Sequence, residues 1–591
     1  MTIKLQRLIS GALIGLPIAI LALFIATYSV NVPFEDEWDT SVYLAARLID
    51  GMPTFRLGSL LGPHNEHRIL PTKLTIVLAT WLTGWDGRFE TWVSFSLALL
   101  TFLLLLDLLR LQGLPSVLTV GALLAWLVFS LRQVHNWLIG FQTQFFYAYL
   151  FSALAVWLLM RLRVGWRALG AAALSAFAAS WSFSGGLPLW IALLPALWLR
   201  GYRRWQHYAA WLGAMALCVG VYFTLGNYTF FAAGGTESPL LYRAAAALTF
   251  LGAPFTTELG ESVGLALAVG AMGVALVAWN ALALWRRAPK HLLAPPAALF
   301  LLSLANAALV ALRRAPMPDA NALASRYVTS ANYLWIALLM LGALSLLHGR
   351  RSAVTRANHL ALLILIPLYI FVNGRVLLTA EPRAYLPTQA DRQCVLSVLH
   401  QSDQSCVRRL YFIERNVIDR LPDLAERRLS LFGDWQADFP PAAQPARAHV
   451  QPILGVVGDE RYRPRWIETS DGVALLQPPP STAEQHLQLP DAPQVFFEAE
   501  LYVDLRNVRE HPDVPQTGAD FRLGIREGRQ VRTLYEGSFD VNVETSPIPI
   551  RVDLSAWRAQ SVVLVYQTEV REGIPFYAWA MWRKPRLVAQ P

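Results

Sequence analysis

Long apolar runs separated by short polar loops dominate the chain up to about residue 373. A helix needs about 20 mostly apolar residues to cross the hydrocarbon core of a bilayer, so the runs predict about eleven membrane-spanning helices. The predicted spans are residues 8–30, 89–112, 114–131, 144–162, 167–183, 186–200, 208–226, 261–285, 291–312, 329–348 and 356–373. The first run is too long for the apolar part of a secretion signal, so we expect it to be retained as a membrane helix.

The pattern changes after residue 380, where the chain becomes polar, rich in proline and charged with both signs. Residues 392–432 have a helical pattern, and residues 436–492 have an irregular one. From Val495 onward, short runs with alternating apolar residues are separated by turn residues, which predicts β-strands. We therefore expect an α-helical multi-pass membrane domain at 1–380, a mixed helical and linker region at 381–490, and a β-sandwich at 491–591.

Composition and charge support this division. The chain is 55% hydrophobic and only 15% charged, whereas about a quarter of the residues in a soluble domain are charged. The net charge of +9 comes from basic residues in alternate short loops, so it indicates orientation in a membrane rather than nucleic-acid binding. By the positive-inside rule these loops and the N-terminus face the cytoplasm, and the C-terminal region faces the opposite side.

Three cysteines are present. Cys218 lies in a predicted membrane helix, where packing is the simplest role. Cys394 and Cys406 lie in the outward-facing region, where disulfides form readily, so we predict a bridge between them. Two buried thiols are the alternative.

The outward-facing segments hold most of the polar residues that carry chemical interest. They are "FEDEWD" at 34–39, "HNEHR" at 64–68, "RQVHNWLIGFQTQ" at 132–144, "WSFSGG" at 181–186 and "RRAPMPDANALASRY" at 313–327. If the topology holds, these segments meet at one membrane face. Carboxylates, amides, aromatic rings and arginines together suit a polar substrate with an anionic part.

The acidic cluster at 35–39 has two interpretations. Four carboxylates in five residues repel one another, which is costly near a membrane unless a cation or a substrate offsets the charge. A carboxylate among Glu35, Asp36 and Glu37 is therefore a candidate general base for an incoming hydroxyl. The alternative is an ordinary solvated loop.

The "HNEHR" segment offers His64, Glu66, His67 and Arg68 for substrate binding. The histidine spacing differs from the pattern of zinc proteases, which place two histidines four residues apart around a glutamate. A divalent metal therefore stays open, with Glu35, Asp36, Glu66 and His67 as its candidate ligands. The alternative is a structural pair between Glu66 and Arg68. An amphipathic helix lying at the membrane surface is expected directly after this segment.

Two further segments offer amides and arginines. Amide side chains bind sugar hydroxyls, and the candidates are His135, Asn136, Gln142 and Gln144; hydrogen bonding between helices is the alternative. Arginine recognises phosphate with two parallel hydrogen bonds, which makes Arg313, Arg314, Arg326 and the neighbouring Tyr327 candidates for an anionic group. Placement of the arginines at the lipid headgroups without any substrate is the alternative for that set. The glycines of "WSFSGG" are explained by a tight turn.

The "EDE" motif at 35–37, placed directly after the first membrane helix, resembles the first-loop acidic motif of the GT-C glycosyltransferases. The resemblance covers the architecture of residues 1–380 and rests on a short motif. The end of the chain, with "IPIRVDLSAW", "VVLVYQTEV" and "FYAWAMWRKPRL", resembles carbohydrate-binding jelly rolls. The whole is similar to bacterial arabinosyltransferases, which join such modules to a GT-C membrane part.

The resemblance implies an inverting glycosyltransferase of the bacterial inner membrane. It would move a sugar, arabinofuranose among the candidates, from a polyprenyl-phosphate donor to a periplasmic glycan or a secreted protein such as a pilin. Asp36 would be the general base, Glu35 and Glu37 the next candidates, and Arg326 would hold the phosphate. Members of this family differ in metal dependence, so no cofactor is predicted with certainty.

Two other functions remain open from the sequence. A flippase for lipid-linked glycans needs polar residues at the membrane midplane, for which Asp107 and Asn306 are the candidates. A non-catalytic scaffold would present the β-sandwich to a glycan. The aromatic residues that would stack on such a glycan, or else pack in the sandwich core, are Trp557, Tyr577, Trp579 and Trp582.

Overall fold

The computed structural model describes most of the chain. The described ranges are 3–49, 57–113, 117–225, 239–258, 262–314, 322–348, 353–379, 386–398, 405–411, 414–433, 451–452, 465–469, 472–477, 479, 481–504, 518–527, 530–544, 546–571 and 579–590. Some side chains within these ranges, including those of Arg313, Arg314 and Cys406, are outside the description.

Helices form the described chain up to residue 426. They are α1 (Ile3–Tyr28), α2 (Ser41–Ile49), α3 (Leu57–Leu61), α4 (Leu70–Thr83), α5 (Gly87–Leu111), α6 (Val117–Val128), α7 (Val134–Leu138), α8 (Thr143–Arg161), α9 (Trp166–Ser180), α10 (Leu189–Arg200), α11 (Trp205–Thr224), α12 (Leu240–Gly252), α13 (Val263–Trp285), α14 (Ala294–Arg314), α15 (Val328–His348), α16 (Ala353–Leu378), α17 (Gln389–Val398) and α18 (Glu414–Glu426). Short 3-10 turns at Glu35–Trp38, Gly140–Gln142 and Ser325–Tyr327 precede α2, α8 and α15.

Nine helical stretches within the described ranges are long and apolar enough to cross a membrane. They are Leu8–Tyr28, Gly87–Leu111, Val117–Leu138, Gly140–Arg161, Trp205–Thr224, Val263–Trp285, Lys290–Leu312, Ser325–His348 and Arg356–Leu378. Because lipid satisfies no backbone group, a helix is the form in which such segments span a bilayer. The chain is therefore a multi-pass membrane protein, as the apolar runs predict.

Two of the predicted spans fold as helices that are shorter than a membrane crossing. The runs at 167–183 and 186–200 become α9, with 15 residues, and α10, with 12 residues. The connection between them is tight, since a Cβ on Gly186 would lie 2.2 Å from the Ala179 carbonyl oxygen. The glycines of "WSFSGG" therefore serve a close helix connection, as expected.

Helix α4 follows the "HNEHR" segment and has two different faces. Its buried face contains Lys73 and Ile76, whereas Trp81 is 80% exposed and Leu82 is 63% exposed. The Lys73 ammonium donates 2.8 Å hydrogen bonds to the carbonyls of Ser59 and Gly62. The exposed apolar side suits a helix that lies against lipid at the membrane surface.

The C-terminal region contains two antiparallel sheets of five strands each. The strands are β1 (Gln451–Pro452), β2 (Arg465–Thr469), β3 (Gly472–Leu476), β4 (Ser481–Gln488), β5 (Gln494–Val503), β6 (Ala519–Glu527), β7 (Gln530–Phe539), β8 (Ile548–Asp553), β9 (Ser561–Val570) and β10 (Ala580–Gln590). Their orders are β1-β4-β9-β6-β7 and β2-β3-β10-β5-β8. Phe497 and Leu501 of one sheet share a core with Leu523 and Leu564 of the other, so the two sheets form a sandwich.

The chain divides into two compact units. One contains residues 1–397 and 404–435, and the other contains residues 398–403 and 436–591. Helix α18 therefore belongs to the same unit as the membrane helices, although it follows the last of them in sequence.

Candidate functional site

The acidic segment after α1 forms a 3-10 turn over Glu35–Trp38 in which Glu37 points inward. The Glu37 side chain is buried, and its two carboxylate oxygens accept backbone hydrogen bonds from Phe34 N at 2.8 Å and Phe141 N at 3.0 Å. Burial raises the pKa of Glu37 to about 7, although both backbone bonds act to lower it. Glu37 thus links the acidic turn to the start of α8, and this geometry favours a positioning role for it.

Asp36 faces the opposite direction and is more accessible. Its Oδ2 atom lies 3.3 Å from His64 Nε2, and the Asp36 side chain is 43% exposed, whereas that of His64 is 7% exposed. His64 Nδ1 lies 2.7 Å from Thr40 Oγ1 in a second hydrogen bond. If Thr40 donates to Nδ1, the proton of His64 sits on Nε2 and points at Asp36.

The electrostatics differ between the two half-buried carboxyls of the turn, Glu35 and Asp36. Partial burial acts to raise the pKa of Asp36, but the His64 hydrogen bond and the charges of His64, Arg326 and His67 outweigh it, so the pKa lies below its ordinary value. For Glu35 burial dominates over the attraction of Arg326, and the pKa is raised. Asp36 is therefore the carboxyl that stays ionised most readily.

Residues 64–67 form a tight two-stranded turn beside the acidic segment. His64 N donates to His67 O at 2.7 Å, and His67 N donates to His64 O at 2.8 Å. Asn65 has a φ of 50° and Glu35 has a φ of 48°, both in the left-handed region that non-glycine residues rarely adopt. Such conformations cost about 1–3 kcal/mol each and are found most often at functional sites.

Arg68, predicted to bind substrate, is buried in a different set of contacts. It is 1% exposed, and its guanidinium donates to the carbonyl oxygens of Leu61, Tyr222 and Leu225. Glu66 lies 3.9 Å from His67. Arg68 therefore caps the ends of α3 and α11, a role that its position beside two histidines does not reveal in the sequence.

The segment at 132–136 holds the "SRY" turn in place. Asn136 Nδ2 donates to the carbonyl of Arg326 at 3.1 Å and to Thr329 Oγ1 at 2.8 Å. His135 N donates to Ser325 Oγ at 3.0 Å. The backbone of the Ser325–Tyr327 turn is thus fixed on both sides by side-chain contacts.

Buried Arg132 holds the chain just before the same turn through the Leu323 carbonyl. It is 2% exposed, donates to the carbonyls of Thr256 and Leu323, and pairs with Glu258 at 2.9 Å. Arg326 differs, because its guanidinium lies over the Tyr327 ring at 5.2 Å and its charge acts on Glu35 and Asp36. Arg326 is therefore an arginine whose charge acts on both Glu35 and Asp36.

Several buried polar atoms close to these segments have no hydrogen-bond partner among the described residues. The acceptor atoms are Asn136 Oδ1, Gln142 Oε1 and Gln144 Oε1, and Trp38 Nε1 is a donor. His135 Nε2 is also without a partner. Buried polar groups are normally paired, so these atoms are candidates for contacts with a hydroxylated ligand.

Ring contacts connect the remaining segment, residues 181–186, to the histidine turn. His64 lies edge-on to Phe141 at 4.8 Å, and His67 lies against Phe183 at 4.5 Å. Contacts among the described residues therefore link the segments at 34–39, 64–68, 132–144 and 181–186, and they link the Ser325–Tyr327 turn to the segment at 132–144.

Other predicted residues are placed elsewhere or lie outside the description. Cys218 is buried with a free thiol, and Cys394 is disulfide-bonded. The side chains of Cys406, Arg313 and Arg314 are outside the described set, as is Tyr577, so their predictions remain untested. Trp582 is buried in the sandwich core and donates to Gln477, while Trp557 and Trp579 are half-buried.

The structure also shows a contact set that the sequence does not indicate. Asp39, the fourth carboxylate of the acidic segment, is bound by side chains of Tyr411, Asn416 and Arg420.

Among the residues described, no three histidine, cysteine or acidic side chains are placed to hold one metal ion. The residues suggested as ligands, Glu35, Asp36, Glu66 and His67, are not gathered around one point in that part of the chain.

No protein-family model matches the chain, and no curated protein matches it.

Proposed function

We propose that this protein is an inverting membrane glycosyltransferase that moves a sugar from a polyprenyl-phosphate donor to a hydroxyl acceptor. The observation that supports the proposal is the 3.3 Å contact of the Asp36 carboxylate with His64, together with the charge of Arg326, which helps to lower the pKa of Asp36. A base for the acceptor and a cation for the leaving phosphate are the two groups that such a displacement needs.

The proposed step balances without a cofactor. The acceptor oxygen forms a bond to the anomeric carbon while the bond from that carbon to the phosphate oxygen breaks. The acceptor proton passes to Asp36, and the phosphate leaves as an anion beside Arg326. Attack from the face opposite the phosphate inverts the anomeric configuration.

The neighbouring groups support this division of roles. His64 Nε2 lies 3.3 Å from the Asp36 carboxylate and Nδ1 lies 2.7 Å from Thr40 Oγ1, which makes His64 a positioning residue in the proposal. The unpaired acceptor atoms of Asn136, Gln142 and Gln144 suit the hydroxyl groups of a sugar, which donate as readily as they accept. A metal ion would add a second positive charge, and its involvement is left to experiment.

The cellular setting belongs to the proposal as well. We place the protein in a bacterial inner membrane with its N-terminus in the cytoplasm, because the basic loops alternate along the chain. The acidic turn then faces the periplasm, where a periplasmic glycan or a secreted protein is the acceptor. The sandwich is proposed to bind glycan, and arabinofuranose is one candidate for the sugar.

The flippase alternative gains no support from its candidate residues. Asp107 accepts a hydrogen bond from Trp157 Nε1 at 2.9 Å, and Asn306 donates to the carbonyls of Gly185 and Leu302 at 3.0 Å. Both side chains therefore have structural partners.

The test is sugar transfer by purified protein in lipid nanodiscs, with a panel of radiolabelled polyprenyl-phosphate sugars as donors. Asp36→Asn is expected to lower kcat by about 10²–10⁴-fold, since the variant lacks the base. Asp86→Asn is the matched control: Asp86 caps α5 and pairs with Arg88, and asparagine caps a helix equally well. Undiminished transfer by folded Asp36→Asn would remove Asp36 from the proposed role.

A further inference from the structure

Asp39 lies in the acidic segment, but its contacts differ from those of Asp36. Its carboxylate accepts hydrogen bonds from the Tyr411 hydroxyl, from Asn416 Nδ2 at 2.7 Å and from Arg420 Nη1 at 3.2 Å. All three donors come from the chain that follows the last membrane helix. A carboxylate with three donors, one of them a guanidinium, is held in one orientation.

The same part of the chain also holds the backbone of the acidic turn. Glu35 N donates to the carbonyl of Leu410 at 2.8 Å. The donor of this bond belongs to Glu35, whose φ of 48° is unfavourable for a residue other than glycine. A strained backbone persists only where surrounding contacts fix it, and Leu410 supplies one of them.

A second anchor lies at the other end of this part of the chain. Ser430 N donates to the carbonyl of Gly84 at 2.8 Å, and Ser430 Oγ donates to Asn31 Oδ1 at 3.0 Å. Asn31 Oδ1 also accepts from Gly87 N at 3.1 Å. The chain after the last membrane helix is therefore bound to the end of α1, to the acidic turn and to the connection between α4 and α5.

We propose that residues 405–411 and 414–433, here called the post-membrane clamp, hold the acidic turn in its working geometry, with Asp39 as the positioning residue. Asp39 accepts the hydrogen bonds of the clamp and does not take the acceptor proton. The contacts of the clamp stand on the structure alone, whereas its effect on sugar transfer rests on the proposed function.

The first experiment measures backbone hydrogen exchange in the full-length protein in nanodiscs. Arg420→Gln removes the charged donor to Asp39, and Arg428→Gln is the matched control because Arg428 is exposed on the same clamp. We expect exchange in the peptide covering residues 33–40 to rise about tenfold in Arg420→Gln, which corresponds to the loss of about 1.4 kcal/mol of local stability. Arg428→Gln should match the unchanged protein.

The second experiment separates positioning from general stability. Arg420→Gln is expected to lower kcat about tenfold with little change in the KM for the donor, because the clamp contacts given above go to Asp39, Glu35, Gly84 and Asn31 rather than to the proposed phosphate-binding residue. Arg420→Lys keeps the charge and should recover part of the rate. If Arg420→Gln does not fold, the exchange measurement is made on Tyr411→Phe instead, since this variant lacks only one hydroxyl group.

The outcomes are distinct. If exchange at residues 33–40 is unchanged in both Arg420→Gln and Tyr411→Phe, the proposed clamp is refuted, and this conclusion does not depend on whether the protein transfers sugar. Faster exchange with an unchanged kcat overturns the positioning role of Asp39. If the unchanged protein transfers no sugar from any donor, the proposed function fails, and the exchange data still decide whether the clamp exists.

Discussion

Replacing Glu37 by glutamine tests the most buried part of the acidic turn. Glu37 accepts one backbone hydrogen bond on each carboxylate oxygen, and burial raises its pKa from 4.5 to about 7. The folded protein therefore keeps a proton on Glu37 up to about pH 7, whereas the unfolded chain releases it near pH 4.5. Because the folded state binds the extra proton, the free energy of unfolding falls as the pH rises between these values.

The size of this effect follows from the two pKa values. At 1.36 kcal/mol per pKa unit, the difference between 4.5 and about 7 corresponds to about 3 kcal/mol. Glutamine does not titrate, so Glu37→Gln should lose this pH dependence. Glutamine also has one acceptor oxygen in place of two, which leaves Phe34 N or Phe141 N unpaired at a cost of about 1–3 kcal/mol.

The measurement is unfolding of the purified protein in mixed micelles from pH 4.5 to pH 8. Glu66→Gln serves as the control, because Glu66 is also an acidic residue of the site but is not buried. The stability advantage of the unchanged protein over Glu37→Gln should be about 3 kcal/mol larger at pH 4.5 than at pH 8. Equal pH slopes for the unchanged protein and Glu37→Gln would refute this account of Glu37.

Three further predictions address the neighbouring residues. Arg326→Gln should raise the KM for a polyprenyl-phosphate donor about tenfold or more in steady-state kinetics, with partial recovery in Arg326→Lys, because a charge-assisted contact to phosphate is lost. If Asp36 is the base, the acid limb of kcat/KM lies below its ordinary pKa of 3.8, since its pKa is lowered, whereas a limb above pH 4.5 would point to Glu35 or Glu37, whose pKa values are raised. Arg68→Met should destabilise the protein by about 2–5 kcal/mol in unfolding measurements, because one buried and two partly buried carbonyls lose their donor.

The apolar runs were sufficient to predict a multi-pass membrane protein followed by a β-sandwich. Two of the predicted spans, 167–183 and 186–200, are not among the nine spanning-length helices of the described residues, because hydrophobicity does not reveal that a close connection at Gly186 separates two short helices, α9 and α10. The sandwich was predictable because Val495, Phe497 and Leu501 alternate with polar residues along β5.

The contacts between the polar segments were predictable for a different reason. Polar residues are expensive in lipid, so the few segments that carry them stand out and must gather outside the hydrocarbon. The sequence could not separate the roles within the site. Glu37 and Arg68 are of the same residue types as groups that bind substrate, and only the backbone atoms around them show that they hold the chain together. Asp39 and Tyr411 are 372 residues apart, which no local pattern connects.

That separation has a consequence for how the protein is made. A ribosome that adds about 5–20 residues per second needs roughly 20–70 s to pass from Asp39 to Tyr411. During this interval the first loop has left the translation machinery while the partners of Asp39 are still unmade. The acidic turn of a nascent chain is therefore expected to lack its Asp39 contacts until the segment that contains Tyr411, Asn416 and Arg420 has been synthesised.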